Sequence, residues 1–323
     1  MPTLWTGAPV EVHISPTYDI RDGRVAALYE SAKLRQWNAS TDVDWTVPVP
    51  YGSALPDDSR FAMASFGASP LARRGRGMWD TFRWELQTWL VSQFLHGEQA
   101  ALVVAARLIE TVPDIESKTY AASQAADEAR HVEVFSRYLR EYAPEIYPVT
   151  ASLRELLDDI LTDSRWDVTA LGMQLIVEAL AMAAFRLADG TFHDDLIKQI
   201  TRLVARDEAR HVTFGVLTLD GIYADMTSAE RADREDMVLE AATLMRRRFL
   251  IEDIWERLEV PRDEGVRYAS TDPLMVTYRQ ALFAKVISAL RQVGLFTPRV
   301  RAGLDGLGLL AFGPHRINGS GHR

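Results

Sequence analysis

Apolar residues recur every three to four positions along most of this chain, which is the spacing of helices that bury at least one face. No stretch shows a convincing alternation of apolar and polar residues, the pattern typical of a half-buried strand. The pattern therefore predicts an all-α protein. The predicted long helices cover about 78–111, 114–142, 165–188, 193–223, 228–258 and 272–293, and shorter ones cover 20–37 and 150–162.

Proline and glycine mark the ends of these predicted helices. Pro113 separates the first two long helices, and Gly190 separates the third from the fourth. Segments rich in Pro, Gly, Ser and Asp are expected to be irregular, and a short polar end is expected to be flexible. The prediction is irregular structure at 1–19 and 39–75, a single helical domain over 1–314 and a flexible tail at 315–323.

The sequence Asp-Glu-Ala-Arg-His-Val occurs twice, beginning at Asp127 and at Asp207, and a lone glutamate lies 30 residues before the Glu of each copy. Residues three apart share a helix face, so each copy presents one carboxylate and one imidazole together. Four glutamates and two histidines are the ligand set of a carboxylate-bridged two-metal site in a helix bundle. The candidate metal ligands are Glu98, Glu128, His131, Glu178, Glu208 and His211.

The 30-residue spacing fits two antiparallel helices joined by a short turn, because residues about 15 positions either side of the turn then lie level. The midpoints of the two pairs fall at Pro113 and His193, next to the predicted helix breaks. Glu98 and Glu178 stand in apolar stretches, where an unpaired carboxylate is costly and a bound cation removes that cost. For either glutamate alone, an outward-pointing side chain on an amphipathic helix is the alternative.

An aspartate precedes each glutamate of the repeat, and an arginine follows two positions later. Metal-bound imidazoles usually donate their second N–H to a carboxylate or a carbonyl group. We therefore expect Asp127 and Asp207 to orient the ligand histidines, including across the bundle, with Arg130 and Arg210 as their partners. Ordinary ion pairs on a helix surface are the alternative.

The amino-acid composition limits the functions and the metal ligands that are compatible with this sequence. The chain has 323 residues, 47% hydrophobic and 25% charged, as in a soluble globular protein, and its net charge of −9 gives no support for nucleic-acid binding. It has no cysteine, so oxygen and imidazole must hold any metal, which suits iron or manganese. The N-terminal residues lack the order of a secretory signal, and the most apolar stretch contains Glu178. We expect no membrane span and a cytoplasmic protein.

These residues resemble the ferritin-like di-iron carboxylate superfamily, in the branch that holds ribonucleotide reductase small subunits, bacterial multicomponent monooxygenases, ligand-binding oxidases and arylamine N-oxygenases. The repeated Glu…Glu-x-x-His pattern carries the resemblance over about 78–223, and residues 28–45 look like the N-terminal approach helix of the reductase and oxidase members. The resemblance implies a ferritin-like four-helix bundle with additional N- and C-terminal helices. It also implies one metal on Glu98, Glu128 and His131 and a second on Glu178, Glu208 and His211, with Glu128 and Glu208 as bridges.

No branch of the superfamily fits in full. Phe135 stands where the reductase subunits have a radical tyrosine, so a stored tyrosyl radical of that kind is not expected. Met182 stands where the monooxygenases have a threonine, and Val204 stands where the arylamine N-oxygenases have an extra histidine ligand. Ala100 and Met173 stand where the ligand-binding oxidases form a Val–Tyr crosslink.

The resemblance implies an O2-dependent oxidoreductase with two iron ions, or a manganese–iron pair, that hydroxylates, N-oxygenates or otherwise oxidises a small organic substrate. No catalytic residue is expected beyond the metal ligands. An electron donor, such as a reductase, ferredoxin or flavin system, is an expected partner, and a homodimer is compatible with the sequence. A ligand-binding oxidase that acts on a fatty-acid-like molecule and a ferroxidase are the alternatives. The turns beside the ligands predict a mostly apolar pocket, for an apolar or aromatic substrate, at Phe94, Gly97, Ala101, Val177, Ala181, Met182 and Phe214.

Overall fold

The computed structural model describes residues 12–18, 23–57 and 59–311, and the predicted tail at 315–323 lies outside these ranges. Within them the protein is helical and contains no strand, which confirms the all-α prediction. A 3-10 turn spans Ala72–Arg74, and a π-helical segment spans Leu171–Val177. The α-helices are α1 (Arg24–Leu34), α2 (Arg60–Ala68), α3 (Arg76–Thr111), α4 (Ile115–Tyr142), α5 (Ala151–Thr162), α6 (Trp166–Ala170), α7 (Glu178–Arg186), α8 (Ala188–Thr191), α9 (Asp195–Leu219), α10 (Ser228–Arg248), α11 (Glu252–Arg257), α12 (Arg262–Thr271), α13 (Pro273–Gln292) and α14 (Pro298–Gly306).

Two helical hairpins form the central bundle. In the first hairpin α3 packs along α4, in the second α7 packs along α9, and α4 contacts α9 to join them. The second helix of each hairpin begins with an aspartate cap: the carboxylates of Asp114 and Asp194 accept hydrogen bonds of 2.8 and 2.9 Å from the backbone N–H three residues further on. The hairpins therefore turn close to Pro113 and Gly190, where the sequence predicts the breaks.

The remaining helices cover this bundle and include the predicted additional N- and C-terminal helices. Helix α1 packs against α4 and α9, α13 packs against α7, and α10 packs against α5 and α14. The core that they close is made of large apolar side chains such as Trp89, Phe135, Leu175 and Phe283, each buried almost completely. Burial of each such side chain contributes about 1.5–3 kcal/mol, which holds the bundle helices in a fixed register.

The helix predicted at 165–188 contains the π-helical segment, which ends immediately before Glu178. A π-turn holds more residues than an α-turn, so it rotates the residues that follow, and such turns are frequent at functional sites. Helix α9 approaches this segment closely at Gly215, where a Cβ would lie 2.6 Å from the Gln174 side chain. Trp166–Arg186 is apolar and long enough to cross a membrane, with a hydropathy of 1.8, but 89% of that apolar window is buried inside the protein.

Five features differ from the sequence prediction. Helix α2 and the 3-10 turn lie within 39–75, which was expected to be irregular, and α12 and α14 were not predicted. The helix predicted at 228–258 divides into α10 and α11 at Ile251, whose φ is 50°. Neither Gly nor Pro marks this break. Ile251 is buried, the Trp255 indole N–H donates to the Leu250 carbonyl at 2.9 Å, and the Trp255 ring stacks on Phe82 with the centroids 5.2 Å apart. These buried contacts fix the turn.

Candidate metal centre

The bundle brings all six predicted ligand residues together at its centre. Helix α3 places one glutamate there, α7 places another at its first residue, and α4 and α9 each place a Glu and a His one turn apart. All six side chains are buried: Glu98, Glu128, His131, Glu178, Glu208 and His211.

His131 Nδ1 faces three carboxylates. It lies 3.2 Å from Glu98 Oε2, 3.1 Å from Glu128 Oε2 and 3.3 Å from Glu208 Oε1. The donor atoms of these four residues lie within 4.8 Å of one another, which is close enough for one cation to contact all of them.

His211 Nδ1 lies on the other side of two of the same carboxylates. It is 3.0 Å from Glu128 Oε1 and 3.5 Å from Glu208 Oε2. Glu128, Glu178 and His211 form a second group whose donor atoms also lie within 4.8 Å of one another. Glu128 and Glu208 thus turn one oxygen toward each histidine, as residues that bridge two cations would.

The donor atoms fit a pair of metal ions. Oε2 of Glu178 is buried and has no hydrogen-bond partner within the described part of the chain. Both oxygens of Glu208 and Nδ1 of His211 are also buried and, although a charged neighbour lies close to each, they form no hydrogen bond of regular geometry there. Buried polar atoms are rarely left unpaired, because each costs free energy comparable to a lost hydrogen bond. Carboxylate oxygens with imidazole nitrogen, and no sulfur, are a donor set suited to iron or manganese.

The electrostatics of the cluster also favour a cation. Burial raises the pKa of the Glu98 and Glu178 carboxyls well above their usual range, and the Glu208 carboxylate raises both further. Burial alone would lower the pKa of the His131 imidazole, but the surrounding carboxylates, Asp207 first, raise it well above its usual range. The cluster therefore holds protons that bound metal ions would replace.

We expect metal binding to release protons and to strengthen as the pH rises. Below their raised pKa values, Glu98, Glu178 and the imidazoles carry protons that compete with a cation; above those values the competition disappears. Calorimetric titration with Mn(II), in buffers of different ionisation enthalpy at mildly acidic and mildly basic pH, measures both effects. Equal affinity at both pH values, with no proton release, would contradict this assignment.

Each histidine contacts the aspartate of the other copy of the repeat. His131 Nε2 lies 3.2 Å from Asp207 Oδ2, and His211 Nε2 lies 3.3 Å from Asp127 Oδ2. A carboxylate accepts a hydrogen bond, so Nε2 of each histidine carries the proton when Nδ1 binds a metal. Both aspartates are buried, which excludes an ordinary surface ion pair.

The two arginines of the repeat connect the two aspartates. Arg210 Nη2 donates to Asp127 at 2.9 Å and to Asp207 at 2.6 Å. Arg130 also donates to Asp127 and lies 3.4 Å from Asp207 Oδ2. Burial opposes ionisation of Asp207, but His131 and Arg210 outweigh it and hold its pKa below the usual range. The aspartates are therefore anionic acceptors with fixed positions.

Three further residues of this network were not identified from the sequence. The Trp37 indole N–H donates to Asp207 at 2.7 Å, and the Gln36 amide donates to Asp127 at 3.1 Å. Both follow α1, in the segment that resembles an approach helix, but only the tertiary structure shows their contacts. Gln124 donates to Glu178 at 2.9 Å and to Glu128 at 3.2 Å. Its position one turn before Glu128, on the same helix face, is a signal that could have identified it.

A narrow and mostly apolar cavity reaches the cluster at Glu98, Glu178 and Glu208. Its other lining residues include several that the sequence did not indicate, among them Leu90, Leu153, Arg248 and Phe249. Five of the predicted pocket residues line it: Phe94, Gly97, Ala101, Val177 and Ala181.

The structure does not place Met182 and Phe214 at this cavity. Met182 follows Ala181, and one residue turns the helix by about 100°, so its side chain points elsewhere. It lines an outer groove together with Val212. Phe214 packs against Tyr120, with the ring centroids 4.4 Å apart. For these two residues, a position close to a ligand in the sequence did not predict that the side chain faces the cavity.

Comparison with known proteins identifies the class and then the family. A helical bundle that buries four glutamates and two histidines is typical of the ferritin-like dimetal carboxylate proteins, and the chain belongs to their oxygenase and oxidase branch. The family model described as p-aminobenzoate N-oxygenase AurF matches residues 21–294, so the chain belongs to this family. The predicted superfamily and the prediction of an oxidoreductase are thereby confirmed. No curated protein matches the chain.

Solved structures support the fold. An R2-like ligand-binding oxidase, a Gly-to-Phe variant with a reconstituted Mn/Fe cofactor, has a TM-score of 0.51 and 17% identity over 84% of this chain and 94% of its own. A Val-to-Ile variant of an R2-like ligand-binding oxidase, also with a Mn/Fe cofactor, has a TM-score of 0.51 and 16% identity over 84% of this chain and 93% of its own. At this identity the likeness shows a shared fold.

Proposed function

We propose that this protein is an O2-dependent N-oxygenase of small aromatic amines. Two iron ions, or manganese with iron, would be held by Glu98, Glu128 and His131 on one side and by Glu178, Glu208 and His211 on the other. The observation that carries the proposal is the buried cluster of these six side chains at the end of a mostly apolar cavity. Membership of the p-aminobenzoate N-oxygenase family supports an amine as the substrate.

The bound metal ions would supply the activation of O2. The chain supplies the ligands, their orientation by Asp127 and Asp207, and a mostly apolar cavity beside them. A Cβ at Gly97 would meet nothing within 4 Å, so the backbone there opens onto free space beside Glu98. The cavity beside the cluster, about 30 Å³, is too small for an aromatic ring as it stands, so wall side chains such as Phe94 would have to move to admit a ring whose amine faces the carboxylate cluster.

Transfer of one oxygen atom from O2 to nitrogen leaves the second oxygen atom to be reduced to water, which needs two electrons and two protons. A reductase, ferredoxin or flavin system would supply the electrons as the partner of this chain. No such partner or redox group is needed for the metal binding itself, so the two requirements can be tested separately.

We expect protein loaded with Fe(II), or with Mn(II) and Fe(II), to consume O2 in the presence of p-aminobenzoate and a chemical reductant. The hydroxylamine or nitro product would be identified by mass spectrometry with 18O-labelled O2. Metal-free protein is the control, and ring hydroxylation would show a different oxygenation. Absence of amine-dependent O2 consumption and of labelled product with both metal loadings would contradict the proposed function.

A further inference from the structure

A second cavity lies next to the cavity beside the cluster. It encloses about 140 Å³ and is lined mainly by residues of α2, α3, α12 and α13. Leu90 and Phe249 line both cavities and form a wall common to the two. None of the six candidate metal ligands lines the second cavity, whereas Gly190, which is exposed, does. The second cavity is therefore separate from the metal centre and reaches the surface of the protein.

The size and the lining of the second cavity fit one aromatic ring. Its wall contains the rings of Trp79, Phe82, Trp89 and Phe249. Trp79 stacks on Phe82 with the ring centroids 5.0 Å apart, so these two rings hold each other in place. In another protein, an engineered cavity of about 150 Å³ with an apolar lining binds benzene. The second cavity can therefore hold a single ring with a small substituent.

Trp79 brings an unused hydrogen-bond donor to this wall. The residue is 3% exposed, and its indole N–H is buried without an acceptor within the described part of the chain. A buried indole N–H usually has a hydrogen-bond partner, because an unpaired buried donor costs free energy. An acceptor atom on a molecule in the cavity would remove this cost.

The missing acceptor is particular to Trp79. The other buried tryptophans of the described ranges all donate their indole N–H within the fold. Their acceptors are Asp207 for Trp37 at 2.7 Å, the Ser53 carbonyl for Trp84 at 2.9 Å, Asp253 for Trp89 at 3.1 Å and the Leu250 carbonyl for Trp255 at 2.9 Å. The fold thus satisfies this group at every buried tryptophan except the one whose partner would come from the cavity.

The two arginines of this wall have partners inside the protein. Arg83 donates to Asp80 at 2.8 Å, and Arg279 donates to two backbone carbonyls. The Tyr268 hydroxyl lies 2.6 Å from Ser65 Oγ, so this pair is also hydrogen-bonded. Because internal groups already satisfy these side chains, the wall favours an uncharged molecule over an anion, which would have to lose its hydration.

We propose that the second cavity is a binding site for an uncharged single-ring aromatic molecule that carries a hydrogen-bond acceptor, such as a phenol, with the indole N–H of Trp79 as the donor. The inference goes beyond the proposed function and does not depend on it, because no candidate metal ligand lines this cavity. A bound molecule would lie against the wall that Leu90 and Phe249 share with the cavity beside the cluster.

The test measures the affinities of phenol and toluene for the Mn(II)-loaded protein without O2, by calorimetry. The two probes have the same number of heavy atoms, but only phenol carries an acceptor. We expect Trp79→Phe to lower the ratio of phenol affinity to toluene affinity by about 3- to 10-fold, the effect of one neutral hydrogen bond. The ratio corrects for the larger cavity of this variant, because both probes experience it.

Trp84→Phe is the matched control. Trp84 is a buried tryptophan on the same helix, and it does not line the second cavity. The affinity ratio should therefore be the same in this variant as in the unmodified protein. Circular dichroism verifies that each variant is helical.

A second variant tests the location of the site without changing Trp79. Leu86 lines the second cavity and not the cavity beside the cluster. Leu86→Trp would fill the free volume, so we expect it to abolish binding of both probes while metal loading stays the same.

An unchanged affinity ratio in folded Trp79→Phe would overturn the inference, and so would absence of phenol binding to the unmodified protein. If Trp79→Phe does not fold, phenol binding that persists in Leu86→Trp would overturn it instead. These measurements need no turnover. Phenol binding at this site in a protein that oxidises no amine would therefore reject the proposed function and leave the second site in place.

Discussion

Glu128→Ala is expected to bind neither metal ion, whereas Glu178→Ala or His211→Ala should retain about half of the bound metal. Glu128 lies between the two histidines, 3.1 Å from His131 Nδ1 and 3.0 Å from His211 Nδ1. It is also the residue common to both clusters of donor atoms, while Glu178 and His211 belong to one. Removal of a shared ligand would take a bond from each ion, and removal of an unshared ligand would take a bond from one.

The measurement is the number of metal ions per chain after anaerobic loading and desalting, by elemental analysis. Glu133→Ala is the matched control, because Glu133 is an exposed glutamate on the same helix as Glu128. Circular dichroism must show that each variant keeps its helices. Full metal loading of Glu128→Ala, or equal loss in Glu133→Ala, would show that Glu128 is not a shared ligand.

The six clustered side chains could be predicted from the sequence because regular helix geometry relates their positions. The Glu-x-x-His spacing places Glu128 with His131 on one face, and the 30-residue spacing brings Glu98 level with Glu128 across a hairpin. Both relations depend only on the helical rise and on a turn at Pro113. The crossed contacts of the two aspartates follow from the same repeat, because it is present on both α4 and α9.

Features fixed by packing between distant segments could not be predicted in this way. Trp37 donates to Asp207 from 170 residues away in the chain, and no local pattern records that contact. The break at Ile251 lacks Gly and Pro, so only the buried contacts of Trp255 explain it. The π-helical segment before Glu178 could not be predicted either, because its apolar sequence looks like part of an ordinary buried α-helix.

Although the chain belongs to the N-oxygenase family, its residue at position 204 differs from the one that the arylamine N-oxygenases are expected to have. Val204 is buried one turn before Glu208, where the arylamine N-oxygenases are expected to have an additional histidine. An apolar side chain there leaves two imidazoles in the cluster, and a ligand set with fewer nitrogen donors changes how the metal ions are held. Identification of the 18O-labelled product therefore distinguishes amine oxygenation from ring hydroxylation.

Asp127→Ala is expected to lower the free energy of unfolding by about 3–5 kcal/mol, because it leaves buried cations without their partner. Asp127 accepts hydrogen bonds from Arg210 at 2.9 Å and from Arg130, and it lies 3.3 Å from His211 Nε2. Its loss leaves Asp207 as the only carboxylate for both arginines among the contacts described. His211 also loses the group that fixes its orientation, so metal affinity should fall by about 10- to 100-fold.

Urea denaturation of the metal-free protein measures the first effect, and metal titration of the folded protein measures the second. Asp127→Asn should lose less stability than Asp127→Ala, because an amide oxygen still accepts a hydrogen bond from Arg210. It should still be less stable than the unmodified protein, because the amide lacks the negative charge that pairs with the two arginines. Asp159→Ala is the control for an exposed aspartate on a helix. If Asp127→Ala unfolds like Asp159→Ala and binds metal like the unmodified protein, Asp127 neither pairs the arginines nor positions His211. If stability falls while metal affinity is kept, the aspartate serves the fold alone, because the same carboxylate cannot orient His211 without affecting the metal ion that His211 binds.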